Sequence, residues 1–445
     1  MRGRFRWKRV GAPVSERSAT ADTGEPAERG DQSTISSIHI PSVHRYRRGI
    51  GRHREELEEF LRDFSKFFFG VIPVLLMAGA CSTAAGPSKT VTTLAPRAWP
   101  SALRIVLGGR HAPTNDTFEV FTCAVPLTTT DPIYGRLTLR LALTPAQLVI
   151  KLNDTVTPYF EALSHGRYHP RFTAGSTLSM KDDETHDHCV ERAVDKSAPD
   201  ASGVMVIATA EHLSTEAGGW GRPGTTCAAE FCPAARTRRA LYVGASDFHV
   251  DWGPVPAVDL TEHEMGHTLG LPHSGDPSSS NQHDSALDLM SNSASPRDVD
   301  RARRNGPDTL AINRVALGWL SARDLVVASR DGGTFTLSPS TGARGLRLLV
   351  LPLASDSFLT VEYLTADGFN DFLPSPGLAV HKVDQPALAC GDCAGSQRVQ
   401  TTLGGAAPHL QLLSTQGSSW VLNGWKVTVG KLGATVQVEV RPSDG

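Results

Sequence analysis

The chain lacks any apolar run of the roughly 18 residues that a membrane-spanning helix needs. It also lacks an excess of one charge. Its 44 Lys and Arg against 46 Asp and Glu leave a formal net charge of -2, which argues against nucleic acid as a partner. No G-x-S-x-G occurs, so a serine-hydrolase elbow has no basis. Gly430-Lys431 is followed by Leu432 rather than Ser or Thr, so it is not a phosphate-binding loop. No internal repeat is present. What remains is a chain of 445 residues, 40% hydrophobic, with 41 Gly and 29 Pro. That composition fits a loop-rich globular protein with room for more than one domain.

Residues 1–65 are poor in apolar side chains, and Arg2, Arg4, Arg6, Lys8 and Arg9 cluster at the start. They read as a disordered extension or as the product of a start codon assigned too early, with a nucleic-acid or membrane arm as the alternative. Residues 66–82, KFFFGVIPVLLMAGACS, then place a positive residue before a short apolar core and small residues. This is the pattern of an export signal. Ala78-Gly79-Ala80-Cys81 resembles a bacterial lipobox, with Cys81 as the lipidation candidate and residues 66–81 as the signal. The same Ala78-Gly79-Ala80 fits an ordinary A-x-A cleavage site, and a buried helix of an N-terminal domain is a third reading. The export readings predict an extracellular or cell-surface protein whose only membrane contact is an N-terminal lipid anchor.

There are seven cysteines, an odd number. If Cys81 carries lipid, six remain. Close spacing suggests Cys227 with Cys232 and Cys390 with Cys393, which leaves Cys123 with Cys189. The alternatives are reduced thiols, or zinc held by the two close pairs. An oxidising compartment fits the paired reading.

Residues 82–101 are rich in Ser, Thr, Ala, Gly and Pro and read as a flexible tether. Strands are expected at Arg136–Leu143, Phe172–Met180, Gly203–Ala208 and Arg239–Gly244. The run GVMVIA at Gly203–Ala208 has the texture of a strand covered on both faces. Thr144-Pro145 opens a helix that extends to about Leu163. Shorter helices are expected at Asp187–Ala198, Ala257–Leu269 and Asp308–Leu317. Residues 214–238 read as a long loop. Beyond about 322, short alternating runs recur at Thr334–Leu337, Leu346–Leu351, Phe358–Tyr363, Gly377–Val383, Val421–Val429 and Thr435–Val440. The fold class is therefore α+β, with one domain over 102–322 and an all-β, sandwich-like domain over 323–445.

Residues 263–273, HEMGHTLGLPH, hold three histidines and a glutamate. On a helix, positions i and i+4 share a face, so His263 and His267 can hold one ion between them. Glu264 stands beside that face, where it can reach a water on the ion. Gly270 permits the left-handed turn that ends the helix, and the chain then brings His273 back. Three imidazoles leave a fourth position open, as in catalytic rather than structural zinc sites. The chemistry implied is hydrolysis of a peptide bond, with Glu264 as general base.

This stretch resembles the extended zinc motif of the metzincin metallopeptidases, H-E-x-x-H-x-x-G-x-x-H. The resemblance implies a catalytic domain with a twisted mixed sheet, a long helix and a zinc-binding helix. It also implies a methionine in a turn beneath the ion, and Met290 in Leu287-Asp288-Leu289-Met290-Ser291 takes that role. Some metzincins carry a tyrosine two residues later; here Asn292 stands there. Leu317-Gly318-Trp319-Leu320, Glu362-Tyr363, Gly368 to Asp371, Pro376-Gly377-Leu378 and Val383-Asp384 resemble secreted peptidases similar to immune inhibitor A and gametolysin. Several of the former have aspartate where His273 stands.

Other clusters are less specific. His186-Asp187-His188 and His283-Asp284 could bind a second ion or contact substrate, or could simply be solvated. Asp371 and Asp384 are calcium candidates against a reading as turn residues. The expected function is thus an exported zinc endopeptidase acting on protein or peptide. The alternatives are an inactive surface binding protein on the same scaffold, and a narrow-range processing enzyme with a regulatory role, or a cytoplasmic enzyme if the signal reading fails.

Overall fold

Thr144 begins the longest helix in the computed structural model of the chain, which describes residues 92–109, 111–126, 141, 143–210, 218–226, 236–249, 252–275, 283, 285–384, 399–402 and 411–443. Its hydroxyl accepts from the backbone N–H of Gln147 at 3.4 Å, and the Gln147 side chain accepts from the N–H of Thr144 at 2.9 Å. This reciprocal cap satisfies two donors that the first turn cannot use, and Pro145 needs none. The described residues fall within one compact unit, Ala85–Gly445. The expected segments 1–65 and 66–81, Cys81, Cys227, Cys232, Cys390, Cys393, Asp284 and most of the expected strand 136–143 lie outside them.

The helices are α1 (Ser101–Leu107), α2 (Pro145–Leu163), α3 (His186–Lys196), α4 (Asp259–Thr268), α5 (Ser295–Val299) and α6 (Ala311–Ala316). The first five strands are β1 (Asn115–Ala124), β2 (His169–Ser179), β3 (Gly203–Ala208), β4 (Gly219–Thr226) and β5 (Thr237–Val243). They form one sheet in the order β2-β1-β3-β5-β4. All its pairings are parallel except that of the edge strand β4, which runs antiparallel to β5. Every residue of β3 is buried, as its unbroken apolar run requires. Met205 and Ile207 face the side of α2, where Leu148, Leu152 and Phe160 pack with Met265 and Met290. Val204, Val206 and Ala208 face α3, packing with Val190, Ala193 and Val194. A Cys123–Cys189 disulfide ties β1 to α3 across 66 residues of sequence.

Strands follow from residue 325 onward: β6 (Leu325–Val327), β7 (Gly333–Leu337), β8 (Leu348–Pro352), β9 (Ser357–Leu364), β10 (Gly377–Asp384), β11 (Val399–Thr402), β12 (Leu412–Leu413), β13 (Ser419–Leu422), β14 (Trp425–Val429) and β15 (Val436–Pro442). One sheet has the order β11-β10-β9-β8-β6, with β12 also on β10, and the other the order β13-β14-β15-β7. Their facing side chains share a buried cluster that includes Leu349, Leu359, Val361, Val427 and Val438.

The structure differs from the expectations in several places, and β1, α5 and β6 were not among the expected elements. The loop expected over 214–238 contains the edge strand β4. The run Val421–Val429 is two strands, because Asn423 and Gly424 take φ of 49° and 81° and turn the chain. Both signs suit the tight two-residue turn that Asn-Gly favours. The helix expected from Asp308 starts only at Ala311, since the Asp308 carbonyl accepts from Leu289 and its carboxylate pairs with Arg314. Finally, ordered structure begins inside the expected tether. Leu94 donates to the carbonyl of Val327, and Trp99 is buried with Leu103, Ile312 and Leu348. Among the described residues no helix is long and apolar enough to cross a membrane.

Candidate metal centre

Helix α4 carries the motif, and its neighbours explain its glycines. At Gly266 a methyl group would run into the sulfur of Met290, which is fully buried beneath the helix. Gly270 takes φ of 89° and ends the helix, as its place in the motif predicts. Its N–H donates to His267 at 2.9 Å, and that of Leu271 to Gly266 at 3.1 Å. The chain thus folds back and sets the ring of His273 4.5 Å from that of His267 and 5.2 Å from that of His263, centre to centre.

Backbone carbonyls fix two of the rings. The Nδ1 of His263 lies 2.7 Å from the carbonyl of Leu289, and the Nδ1 of His267 lies 2.7 Å from that of Leu271. A carbonyl only accepts, so each Nδ1 carries the proton and each Nε2 presents a lone pair. The two Nε2 atoms face each other at 3.1 Å. Two neutral lone pairs repel at that separation, whereas a shared cation relieves them. Ligand distances of about 2.0–2.1 Å around a tetrahedral ion call for roughly 3.3 Å between nitrogens. One ligand atom from each of His263, His267 and His273 lies within 4.8 Å of the others, so the three residues can hold a metal ion.

Electrostatics point the same way. Burial pushes His263 well below the usual imidazole range, aided by His267 beside it. Burial also lowers His267, and it brings His273 down to about 4 with help from His267 and His283. All three are therefore neutral near pH 7, the form that binds metal.

Glu264 is buried, and one of its oxygens, Oε2, has no hydrogen-bond partner. Burial raises its carboxyl to about 8, opposed by a hydrogen bond from the backbone N–H of Gly221. Strand β4 lies directly on this helix. A methyl group at Gly221 would overlap the carbonyl oxygen of Glu264, and one at Gly219 would stand 2.9 Å from its Cγ. The two glycines let an edge strand come against the motif.

Asp288 organises the ground behind the rings. Its buried carboxylate accepts from Ser274, the residue after His273, and from Thr309 at 2.9 Å, Leu310 N–H at 3.2 Å and Asn313 at 3.1 Å. Ser274 N–H donates in turn to the carbonyl of Met290 at 2.9 Å. Sequence reasoning passed over Asp288, although its place two residues before Met290 was visible. It named His283 only with Asp284, for a second ion or for substrate, and did not place it beside the motif. That ring stands 4.6 Å from His273 and 5.7 Å from His263. Asn292 turns elsewhere and donates to Asp298 at 3.2 Å.

The remaining candidates do not join the cluster. His186 stacks on Tyr242, on the sheet face away from α4, and Asp187 lies 3.5 Å from Arg222. Asp371 pairs with Arg303, and Asp384 with Lys382 at 2.9 Å. Among the described residues, His263, His267 and His273 are the one convergent group of three or more metal-binding side chains. No protein-family model matches the chain, and no curated protein is similar to it at a significant level.

Proposed function

We propose that the chain is a zinc-dependent endopeptidase, exported and lipid-anchored through Cys81, with a metzincin-like catalytic domain ahead of a sandwich-like β domain. The observation that carries this reading is the convergence of three imidazoles from a helix that also buries a carboxylate oxygen with no partner. Bound there, a zinc ion would polarise the scissile carbonyl and acidify the attacking water. His263, His267 and His273 hold the ion, and the carbonyls of Leu289 and Leu271 keep two of those rings in register. The charge of a bound ion would favour the carboxylate over the acid that burial alone favours, and Oε2 of Glu264 would then take the proton from the attacking water and pass it to the leaving amine. Strand β4 supports a peptide as substrate, because it is the sheet edge that lies against Glu264 and an extended chain can add to such an edge. The Cys123–Cys189 disulfide supports export to an oxidising compartment.

The test is cleavage of unfolded casein by the purified protein, with and without a chelator, beside Glu264→Ala. The native protein should cut and lose activity with its zinc. The variant should keep one zinc per chain while its rate falls by about 10²–10⁴-fold. Folded protein that binds no zinc would end this reading. Zinc binding without cleavage by the native protein would mean a real site that is narrow in range or latent.

A further inference from the structure

We propose that His283 is a fourth imidazole of the metal centre, closing in the resting protein the position that the other three leave open. The inference rests on the zinc reading of the site.

Rings bound to one tetrahedral ion through nitrogens at about 2.0–2.1 Å have centres roughly 5 Å apart. The three motif rings satisfy this, at 4.7, 5.2 and 4.5 Å. His283 stands at the rim of this group rather than among its converging ligand atoms, its ring 4.6 Å from that of His273 and 5.7 Å from that of His263. Its Nδ1 lies 3.1 Å from the carbonyl of Ser291. That carbonyl fixes the proton on Nδ1 and makes Nε2 the lone-pair nitrogen, as Leu289 does for His263 two residues earlier in the same turn. One turn thus orients two imidazoles in the same way, from residues 289 and 291. The side chain that follows, Asn292, is directed at Asp298 and leaves the space to His283.

Exposure separates His283 from the others. His263 is buried and His267 and His273 are half-buried, whereas His283 is exposed. A ligand on the solvent side can leave with little rearrangement. The position it vacates is the one a scissile carbonyl and the attacking water need. The centre is therefore latent with His283 in and active with His283 out, and a substrate that competes for the ion opens it.

The test loads the full chain with Co(II) in place of zinc and compares it with His283→Ala and His283→Gln by proton NMR in H2O and D2O. Each imidazole bound through Nε2 contributes one strongly shifted, exchangeable Nδ1 proton. The native protein should show four such signals and both variants three. Zinc affinity, measured against a competing chelator, should fall at least about tenfold in the variants. Cleavage of a short peptide should rise, because the fourth position is open from the start. Three signals in the native protein, or unchanged affinity with slower cleavage, would overturn the proposal and leave His283 as a group beside substrate. If cobalt yields no shifted signals in any of the three proteins, the zinc reading itself falls and takes this inference with it. Because His283 is exposed, the metal-free proteins should unfold at the same temperature, which guards against a folding artefact.

Discussion

Helix α4 and the hairpin β14–β15 are both buried, but by opposite means. In the hairpin, Trp425, Val427 and Val429 alternate with outward residues, and so do Val436, Val438 and Val440. Apolar area removed from water at about 25 cal/mol per Å² suffices to hold such strands, and any well-shaped apolar set would do. Helix α4 buries Asp259, Thr261, Glu262, His263, Glu264 and Thr268 around a single large apolar side chain, Met265. Each buried polar group costs about 1–3 kcal/mol unless it finds a partner. Here Asp259 finds Arg297 at 3.0 Å, Glu262 finds the N–H of Gly306 at 2.7 Å, and His263 finds Leu289. A segment that keeps so expensive a composition is kept for its chemistry, whereas the hairpin is kept for its packing.

Three experiments separate these modes, beginning with the largest effect. Leu359 is fully buried in the cluster between the two later sheets. Leu359→Ala should destabilise the protein by about 2–5 kcal/mol in urea titration while zinc stoichiometry stays at one per chain. Loss of zinc binding at temperatures where the variant is folded would erase the contrast.

Among the polar side chains buried in the later sheets, one stands without a partner. His381 on β10 is fully buried, neither ring nitrogen has a partner, and burial holds its pKa down to about 4. It is neutral in the fold, but in the unfolded chain it titrates near 6.5. Unfolding therefore takes up a proton between those values. The contribution of neutral His381 is full above pH 6.5 and is lost as pH falls toward 4, by about 2–3 kcal/mol at pH 4.5. Comparing unfolding midpoints at pH 7.5 and 4.5 for the native protein and His381→Leu checks this, since the variant should lose that part of the slope. An identical slope would show that His381 is solvated or paired.

The smallest effect tests the polar region through its glycine contact. Gly221→Ala places a methyl group against the carbonyl of Glu264. Overpacking of this kind costs about 1–3 kcal/mol, and the helix must move away from β4. Zinc affinity should fall along with the unfolding midpoint, because Glu264 and His267 move with that helix. A fall in stability with unchanged zinc affinity would show that the site tolerates the shift.

The sequence disclosed those parts whose cause is local. Thr144, Pro145 and Gln147 mark a helix start by side-chain chemistry alone, and Gly203–Ala208 marks a central strand by composition. The motif from His263 to His273 was legible because ligands four residues apart on a helix share a face, and Gly270 announces the turn that brings the third one back. Strand β4 was not legible. Its Gly219, Gly221, Pro223 and Gly224 carry the marks of a loop, and the reason for the glycines is a helix more than forty residues later in the chain. The shortened helix at Ala311 escaped notice for a similar reason, because Asp308 is occupied by Leu289 and Arg314. The ties from Leu289 and Leu271 to the histidine rings run from backbone carbonyls, which no residue type advertises. His283 was visible as a possible ligand for a second ion, but nothing in its spacing placed it beside the motif histidines.

The knot at Asp288 has a consequence for how the molecule comes apart. Its carboxylate gathers the return of the motif at Ser274, the methionine turn and the start of α6. The same stretch reaches the later sheets, through the Ala311 N–H to both oxygens of Glu362, Asp308 N–H to Asn370 at 3.2 Å, and Ala286 N–H to Gln411 at 3.0 Å. Among the described residues these bonds tie the histidine cluster to the later sheets. Heat capacity should record one cooperative transition, and an ion held by the three histidines would steady strands that never touch it.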